Sequence, residues 1–233
     1  MNPYRLLILI PAFNEEASIA NVIASVRKYA PGADIVVIND GSTDRTRAIA
    51  QGLGVVVLTH VYNLGIGATM QTGYKYAVAG GYDIAVQLDG DGQHPAEQIN
   101  DIIRPVLDGK ADLVVGSRFL GEGNYRPSIA RGAGMAFFSR LVSLILKERL
   151  TDTTSGFRAA GKECIHYFSS RYPDDYPEVE ALVLLHKKGF SIMEVPVTMT
   201  ERATGRSSIT PLRSVYYMVK VFLAILVDLI KRV

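Results

Sequence analysis

Short apolar runs alternate with helical patterns along the first half of the chain, and this alternation limits the fold more than any other feature. Five such runs occupy residues 6–10, 34–39, 55–59, 83–88 and 112–116. Their length and apolar character are typical of buried parallel strands. Between them the apolar side chains recur at helical spacing, as Ile19, Val22 and Val26 do after the first run. Strands that alternate with helices in this way predict parallel βαβ units and an α/β fold.

A polar loop follows each of these runs. The loops carry Asn14, Asp40, Asn63, Asp89 and Arg118. In an open parallel sheet, ligands bind outside the carboxyl ends of the strands. We therefore expect these loops to share a single cleft.

The loop at residues 89–95 has the sequence D-G-D-G-Q-H-P. Asp89 and Asp91 are separated by one glycine, which allows a sharp turn, so both carboxylates can reach one hard divalent cation. Gln93 adds an amide oxygen, and the three residues together predict a site for a metal that carries phosphates. The alternative is that the loop is only a polar turn after a strand. We interpret His94 as a structural residue of the loop that does not bind the metal.

Composition excludes several classes of protein. A chain of 233 residues is long enough for one large α/β domain, and a formal net charge of +2 argues against a nucleic-acid-binding protein. The single cysteine, Cys164, excludes an internal disulfide and a cysteine-based zinc site, and it fits a reducing compartment. The G-x-G at residues 65–67 is a poor dinucleotide fingerprint because Met70 replaces the third glycine and the segment follows the third strand.

The second half of the chain has a different pattern. Residues 128–150 predict a helix with a broad apolar face, which belongs either to the core or to a membrane contact. Residues 151–158 resemble a strand that enters a helix near Gly161, and Glu178 and Glu180 begin another helix. A late strand at 192–200 leads into a basic loop at 201–208.

Residues 212–233 predict an apolar helical tail. Its charged side chains fall near one narrow stripe of the helical wheel. Its longest uninterrupted apolar run, residues 221–227, is shorter than the about 20 residues that span a bilayer. We expect a catalytic domain over residues 1–210 and, over residues 211–233, an amphipathic helix that binds a membrane surface or a membrane partner. Self-association through apolar helices, giving a homo-oligomer, is a further expectation, as is packing of the tail on its own domain.

Five motifs, in this order along the chain, resemble those of family 2 glycosyltransferases with the GT-A fold. They are P-A-F-N-E at 11–15, N-D-G-S-T-D at 39–44, D-G-D-G-Q-H-P at 89–95, G-S-R at 116–118 and T-S-G-F-R at 154–158. Within that family the chain looks most like the polyprenyl-phosphate sugar transferases. The resemblance covers about residues 6–208 and implies a Rossmann-like, mostly parallel sheet flanked by helices.

The resemblance also implies roles for single residues. The implied nucleotide contacts are Pro11, Asn14, Glu15, Asp40, Asn63, Gly67 and Asp89. The implied metal ligands are Asp89, Asp91 and Gln93, with Mg²⁺ or Mn²⁺ bridging the donor diphosphate. The implied catalytic residues are Asp91, Arg118, Arg131 and Arg202. Arg118 and Arg131 would grip the acceptor phosphate and Arg202 the donor diphosphate, since a guanidinium pairs with phosphate oxygens in a bidentate manner. The alternative for each arginine is a structural salt bridge.

The chemical class of the group that receives the sugar can be inferred from the lack of a motif that would supply a catalytic base. A hydroxyl acceptor needs a carboxylate to remove its proton, whereas a phosphate monoester is already anionic near pH 7. The E-D and Q-x-x-R-W signatures of family members with hydroxyl acceptors are both absent from this sequence. A polyprenyl phosphate acceptor is therefore favoured, with inversion at the sugar, although Asp152 and Glu180 stay open as bases.

The family resemblance leaves open how the protein reaches its acceptor and which alternative functions have to be considered. Members of the family that are longer carry a transmembrane pair, and none follows residue 233, so we expect a peripheral protein on the cytoplasmic face of the membrane or one with a small membrane subunit. A hydroxyl acceptor on a glycan or a lipid-linked saccharide is the main alternative. A sugar-nucleotide pyrophosphorylase would have a glycine-rich segment where residues 11–14 stand. A catalytically idle binding subunit is disfavoured by the intact Asp89, Asp91 and Arg202.

Overall fold

The computed structural model describes residues 4–120, 129–174 and 177–199, together with Lys220, Phe222 and Leu223. Strands and helices alternate through the first half of the chain, as the sequence predicts. The elements in chain order are β1 (Leu6–Ala12), α1 (Ile19–Tyr29), β2 (Asp34–Asn39), α2 (Thr46–Gly52), β3 (Val56–Thr59), α3 (Ile66–Gly80), β4 (Ile84–Gln87), a 3₁₀ turn (Ala96–Gln98), α4 (Ile99–Leu107), β5 (Leu113–Ser117), α5 (Ile129–Leu146), β6 (Arg158–Gly161), α6 (Lys162–Ser170), α7 (Pro177–Lys187) and β7 (Ile192–Pro196).

The strands form one seven-stranded sheet in the order β3-β2-β1-β4-β6-β5-β7. All neighbouring pairs are parallel except those of β6, which runs antiparallel to both β4 and β5. The carboxyl ends of β2, β1, β4 and β5 therefore lie at the same edge of the sheet as the beginning of β6. The predicted GT-A-like arrangement, a mostly parallel sheet flanked by helices, is confirmed.

The strand β6 is displaced from its predicted position. The sequence suggested a strand over 151–158, but the structure begins it at Arg158 and ends it at Gly161. The backbone N–H groups of Thr151 and Asp152 instead donate to the carboxylate of Glu194, at 2.7 and 2.6 Å. A side chain from β7 thus satisfies the backbone groups that a strand would have paired.

The core has two layers because the central strands are buried on both faces. In β1, Leu7 and Leu9 pack into one hydrophobic cluster, and Ile8 and Ile10 pack into the other. Successive side chains of a strand point to opposite faces, so a continuous apolar run can serve both layers at once. This is why the short apolar runs of the sequence identified the strands.

The helix α5 packs into the core, which is one of the two roles that its sequence left open, and membrane contact stays a prediction. Phe138, Val142 and Leu146 are buried in the core, whereas Phe137 and Leu144 are 47% and 78% exposed. The helix therefore packs on the sheet with one stripe and presents apolar side chains on the surface of the described structure.

The remaining C-terminal predictions lie almost entirely outside the described residues. The loop with Arg202 and most of the tail at 211–233 belong to this part of the chain. Within the described residues, no helix combines the length and apolarity needed to cross a membrane.

We predict that Leu9→Ala lowers the free energy of unfolding by about 2–5 kcal/mol, because it opens a cavity under α3 in a fully buried strand. The same substitution at the exposed Leu144 should change it by no more than about 0.5 kcal/mol. Urea denaturation of both variants provides the comparison. Equal losses would contradict the two-layer core.

Candidate active site

The strand ends enclose a cleft of about 430 Å³. It is lined by Pro11, Ala12, Phe13, Glu15, Asp40, Asn63, Gly65, Ile66, Thr69, Asp89, Gly90, Asp91 and Glu178. The structure thus brings six of the predicted site residues to one place, and these are Pro11, Glu15, Asp40, Asn63, Asp89 and Asp91. Because these residues follow β1, β2, β3 and β4, the shared cleft is a direct result of the parallel topology.

Asp89 is fixed by neutral neighbours. Its backbone N–H donates to Nδ1 of His94 at 3.0 Å, and Nε2 of Gln87 donates to its Oδ1 at 3.3 Å. The His94 ring is buried and packs on Phe157. Since Nδ1 accepts a hydrogen bond, the proton of the neutral ring is on Nε2, which lies 3.6 Å from Oδ2 of Asp89. His94 therefore shapes the loop at residues 89–95, called the acidic loop below. This agrees with the structural role expected for His94.

Asp91 closes the turn of the acidic loop. Its Oδ1 accepts the backbone N–H of Gln93 at 3.0 Å, and Gly92 between them has φ +78°. A positive φ favours glycine at this place. Gln93 itself is outside the set of residues that line the cleft. Its role as a metal ligand stays a prediction.

Gly156, two residues before β6, packs against the acidic loop. A Cβ atom at this position would lie 3.0 Å from Nε2 of Gln87 and 3.2 Å from Oδ2 of Asp89. Any side chain here would push on the Asp89 carboxylate. The glycine of the 154–158 motif is therefore explained by this close approach.

The loop after β1 is fastened to the loop after β2 by side-chain bonds. Oδ1 of Asn14 accepts the Thr43 N–H at 2.9 Å, and the Glu15 N–H donates to Oγ1 of Thr46 at 2.7 Å. Asp44 accepts from Thr46 N–H through Oδ1 at 2.9 Å and from Glu16 N–H through Oδ2 at 3.0 Å. Asn14, a predicted nucleotide contact, thus joins two loops and adopts φ +57°. It is not among the residues that line the cleft.

Asp40 uses both carboxylate oxygens to hold the loop after β3. Its Oδ1 accepts from the Leu64 N–H at 2.9 Å and from Nδ1 of His60 at 2.8 Å. Its Oδ2 accepts from the Gly65 N–H at 2.9 Å. Asp40 therefore organises the wall of the cleft that carries Asn63. His60, which the sequence analysis did not select, supports it from behind and is also 3.0 Å from the Thr72 hydroxyl.

Gly67, also a predicted nucleotide contact, serves packing in the described structure. A Cβ atom there would lie 2.2 Å from the backbone oxygen of Pro173 and 2.3 Å from that of Asp174. The residue lets the start of α3 approach this segment. It lies outside the set that lines the cleft.

Arg118 forms a bidentate pair with Asp152. Its Nε lies 2.6 Å from Oδ2 and its Nη2 2.7 Å from Oδ1, and Nη2 also donates to the Thr154 hydroxyl at 2.8 Å. The Asp152 side chain is fully buried, and Arg118 is 13% exposed. Asp152 is thus committed to an ion pair, which argues against its role as a base. Two further arginines were predicted to be catalytic. Arg131 lies in α5, but its side chain is outside the described residues, as is the whole of Arg202.

Glu178 is a cleft residue that the sequence analysis did not assign to the site. It stands in the first turn of α7 and is half-buried. Burial raises the pKa of its carboxyl above the ordinary value of 4.5, while Arg158 opposes the rise, Asp89 adds to it and Arg118 opposes it. An acid that follows a proline at the start of a helix is common, so its sequence position gave no signal.

A cleft of about 430 Å³ at the carboxyl edge of a mostly parallel sheet, lined by both acids of a D-x-D loop, is the arrangement expected of a glycosyltransferase with the GT-A fold. The chain belongs to glycosyl transferase family 2, whose model matches residues 7–166. The family resemblance noted in the sequence is therefore confirmed, and the protein is a glycosyltransferase.

Similar proteins support the same assignment. Polyprenol monophosphomannose synthase of Mycolicibacterium smegmatis is 29% identical over 88% of this chain and 81% of its own. UDP-N-acetylglucosamine–dolichyl-phosphate N-acetylglucosaminyltransferase of Methanococcus voltae is 30% identical over 82% of this chain and 84% of its own. The structure of glucosyl-3-phosphoglycerate synthase from Mycobacterium tuberculosis with Mn²⁺, UDP and phosphoglyceric acid has a TM-score of 0.74 at 22% identity, covering 97% of this chain and 78% of that one. At that identity the structural match establishes the fold.

We predict that the bonds between the first two loops make stability depend on pH through Asp44. Burial acts to raise the pKa of this carboxyl, but hydrogen bonds from Thr46 and Glu16 outweigh it and lower the pKa below the ordinary 3.8. A carboxyl with a lowered pKa stabilises the fold above its ordinary pKa, and that contribution disappears as the pH falls through the folded value.

The test is urea denaturation between about pH 6 and pH 3. Asp44→Asn should be less stable than wild type at the upper end and should lose less stability toward the lower end. Asp101→Asn, an exposed acid on α4, is the control and should follow wild type. Parallel curves for wild type and Asp44→Asn would contradict the role of this carboxylate.

Proposed function

We propose that this glycosyltransferase moves a sugar from a nucleoside-diphosphate donor to the phosphate of a polyprenyl phosphate, with inversion at the anomeric carbon and with Mg²⁺ or Mn²⁺. The observation that carries the proposal is the order of groups along the sheet edge. Asp40 follows β2, Asp89 follows β4 and Arg118 follows β5, so the donor cleft is succeeded along the edge by an arginine, paired with Asp152, to which we assign a second phosphate. The two relatives described above are named for transfer to polyprenol or dolichyl phosphate, which supports the same acceptor.

The donor cleft suits a cation that arrives together with the diphosphate. Asp89 and Asp91 line it, whereas no group of three His, Cys, Asp or Glu side chains among the described residues could form a complete metal cage. Mg²⁺ is often held by one or two carboxylates together with substrate phosphates and water. When bound, the metal would neutralise the charge that develops on the leaving nucleoside diphosphate. The structural relative crystallised with Mn²⁺ and UDP is consistent with this chemistry.

The nucleoside would occupy the end of the cleft near β1 and β2. Phe13 is 45% exposed beside this end and offers an aromatic face. Pro11, Asn63 and the loop held by Asp40 complete the wall. We assign recognition of the base to these groups.

The transfer step needs no general base if the acceptor is a phosphate. A phosphate oxygen of the acceptor attacks the anomeric carbon, the bond from that carbon to the diphosphate oxygen breaks, and the electron pair leaves with the nucleoside diphosphate. Arg118 would orient the acceptor phosphate while it shares its guanidinium with Asp152. Arg131 and Arg202 remain the proposed partners of the acceptor phosphate and the donor diphosphate.

A groove beside Arg118 suits the lipid part of this acceptor. Among the described residues it has a volume of about 860 Å³ and runs along α5, with Phe119, Met135 and Leu144 among its lining residues. Arg140 and Lys147 also line it, so an apolar chain and an anionic headgroup both find suitable partners.

A polyprenyl phosphate is a membrane lipid, so this acceptor supports a location at a membrane. We propose that residues 1–210 form the catalytic domain and that residues 211–233 form a helix that binds the cytoplasmic membrane surface, directly or through a small membrane subunit. Self-association through these apolar helices is part of the same proposal.

A hydroxyl acceptor is the second candidate, and Glu178 is the observation that favours it. A half-buried carboxyl with a raised pKa in the cleft could accept a proton from a hydroxyl. In that case the enzyme would extend a glycan or a lipid-linked saccharide.

We predict that wild type transfers labelled sugar from one donor of a nucleotide-sugar panel to a short polyprenyl phosphate in detergent when Mg²⁺ or Mn²⁺ is present. Asp91→Asn should lower the rate by about 100-fold or more, because it removes charge from the diphosphate site. Chelation of the metal should have a comparable effect. Asp101→Asn makes the same substitution on the exposed face of α4 and should retain activity.

Two results would contradict the assignment. Label that enters a polyprenyl phosphate equally well with Asp91→Asn would overturn the role of the acidic loop. Label that enters only hydroxyl acceptors would select the second candidate.

A further inference from the structure

Glu178 lies where the donor and acceptor sides of the site meet. Its backbone carbonyl accepts a hydrogen bond from Nη2 of Arg158 at 2.6 Å, and Arg158 is the first residue of β6. In the sheet, β6 separates β4, which ends in the acidic loop, from β5, which ends in Arg118. The start of α7 is therefore anchored between these two loops.

The charges near Glu178 are consistent with a position of this residue between the acidic loop and Arg118. Burial is the main cause that raises the pKa of its carboxyl, and the charges of Arg158, Asp89 and Arg118 all act on it. Asp89 belongs to the donor cleft and Arg118 to the proposed acceptor site. Charges from both sides therefore reach the Glu178 carboxyl, and Glu178 also lines the cleft directly.

The transferred sugar has to occupy this same region. In the proposed reaction, which this inference presupposes, the bond at the anomeric carbon passes from the diphosphate oxygen to the acceptor phosphate. The diphosphate is assigned to Asp89 and Asp91 and the acceptor phosphate to Arg118, so the sugar ring lies between the two assignments. A sugar presents hydroxyl donors, and a carboxylate is their strongest protein acceptor.

We propose that the carboxylate of Glu178 accepts hydrogen bonds from hydroxyl groups of the sugar being transferred, and that it thereby helps to select the sugar. The arrangement explains why Glu178 stands in the same cleft as Asp89 and Asp91, although like charges repel one another. Arg158, which is 2% exposed, supplies a buried positive charge behind it. Donation from sugar hydroxyls would stabilise the ionised form of Glu178 and so oppose the effect of burial on its pKa.

The alternative is that Glu178 only stabilises the start of α7, since an acid in the first turn favours a helix. Glu163 provides the matched control for that reading. It is an exposed glutamate in the first turn of α6, and it is not among the cleft residues. If helix stabilisation were the whole role, Glu178→Gln and Glu163→Gln would behave alike.

The experiment compares binding of donor and bare nucleotide, with no acceptor present. UDP-glucose, UDP-N-acetylglucosamine and GDP-mannose are titrated by calorimetry against UDP and GDP in the presence of Mg²⁺. For the donor that wild type binds, Glu178→Gln should weaken binding by about 10-fold or more, as expected for loss of a charged hydrogen-bond acceptor. Binding of the matching diphosphate should change by less than about 2-fold, and Glu163→Gln should match wild type.

Deoxy analogues of that donor identify the hydroxyl. Removing the hydroxyl that Glu178 binds should weaken binding to wild type but not to Glu178→Gln, because the interaction is already absent there. Removing any other hydroxyl should affect both proteins equally.

Each other outcome is decisive. Equal weakening of donor and bare nucleotide by Glu178→Gln would overturn the sugar contact and assign the residue to the diphosphate site or to folding. Unchanged donor binding with lost transfer and an altered pH profile would make Glu178 a base instead. If wild type binds no nucleotide or nucleotide sugar, the proposed function itself is wrong, whereas failure of the lipid acceptor alone leaves this binding result intact.

Discussion

Negative charge is concentrated in the cleft by Asp89, Asp91 and Glu178, and the surrounding structure is arranged to tolerate that charge. Arg158 is buried behind the cleft, although burial of a cation is costly unless opposite charges and hydrogen bonds offset it. Its Nε and Nη2 donate to backbone carbonyls, and within the described residues Nη1 has no hydrogen-bond partner. The Arg158 charge acts on the Glu178 carboxyl against the effect of burial, and the proposed divalent cation would relieve the repulsion that is left in the cleft.

The reversed direction of β6 joins the two halves of the site. Because β6 begins at the edge where its neighbours end, residues 151–157 lie at the same edge of the sheet as the cleft. Gly156 lies so near the Asp89 carboxylate that a Cβ atom there would be 3.2 Å from Oδ2, and Asp152, four residues earlier, holds Arg118. The donor loop and the proposed acceptor loop are therefore spaced by one short segment, which the Glu194 carboxylate fastens to β7. A fixed spacing of this kind suits a direct displacement, in which both phosphates must face one carbon atom.

The sequence predicted the strands of the first half and the polar loops after them, because a strand buried on both faces is a continuous apolar run. It also predicted that Asp40, Asp89 and Asp91 share a cleft, since parallel strands end together. The strand β6 was misplaced because its residues 158–161, R-A-A-G, carry no β-branched side chain. The partners of Arg118 and Asn14, and the position of Glu178, depend on contacts between distant segments, which no local pattern records.

In the proposed mechanism, the acidic loop binds a cation jointly with the donor diphosphate. Electron paramagnetic resonance of Mn²⁺, titrated with the protein alone and then with a saturating nucleoside diphosphate, measures this most directly. We predict weak binding of Mn²⁺ alone and binding at least about 10-fold tighter with the nucleotide, because two carboxylates leave coordination sites for phosphate oxygens. Mn²⁺ binding that is equally tight with and without nucleotide, or that is unaffected by Asp91→Asn, would contradict it.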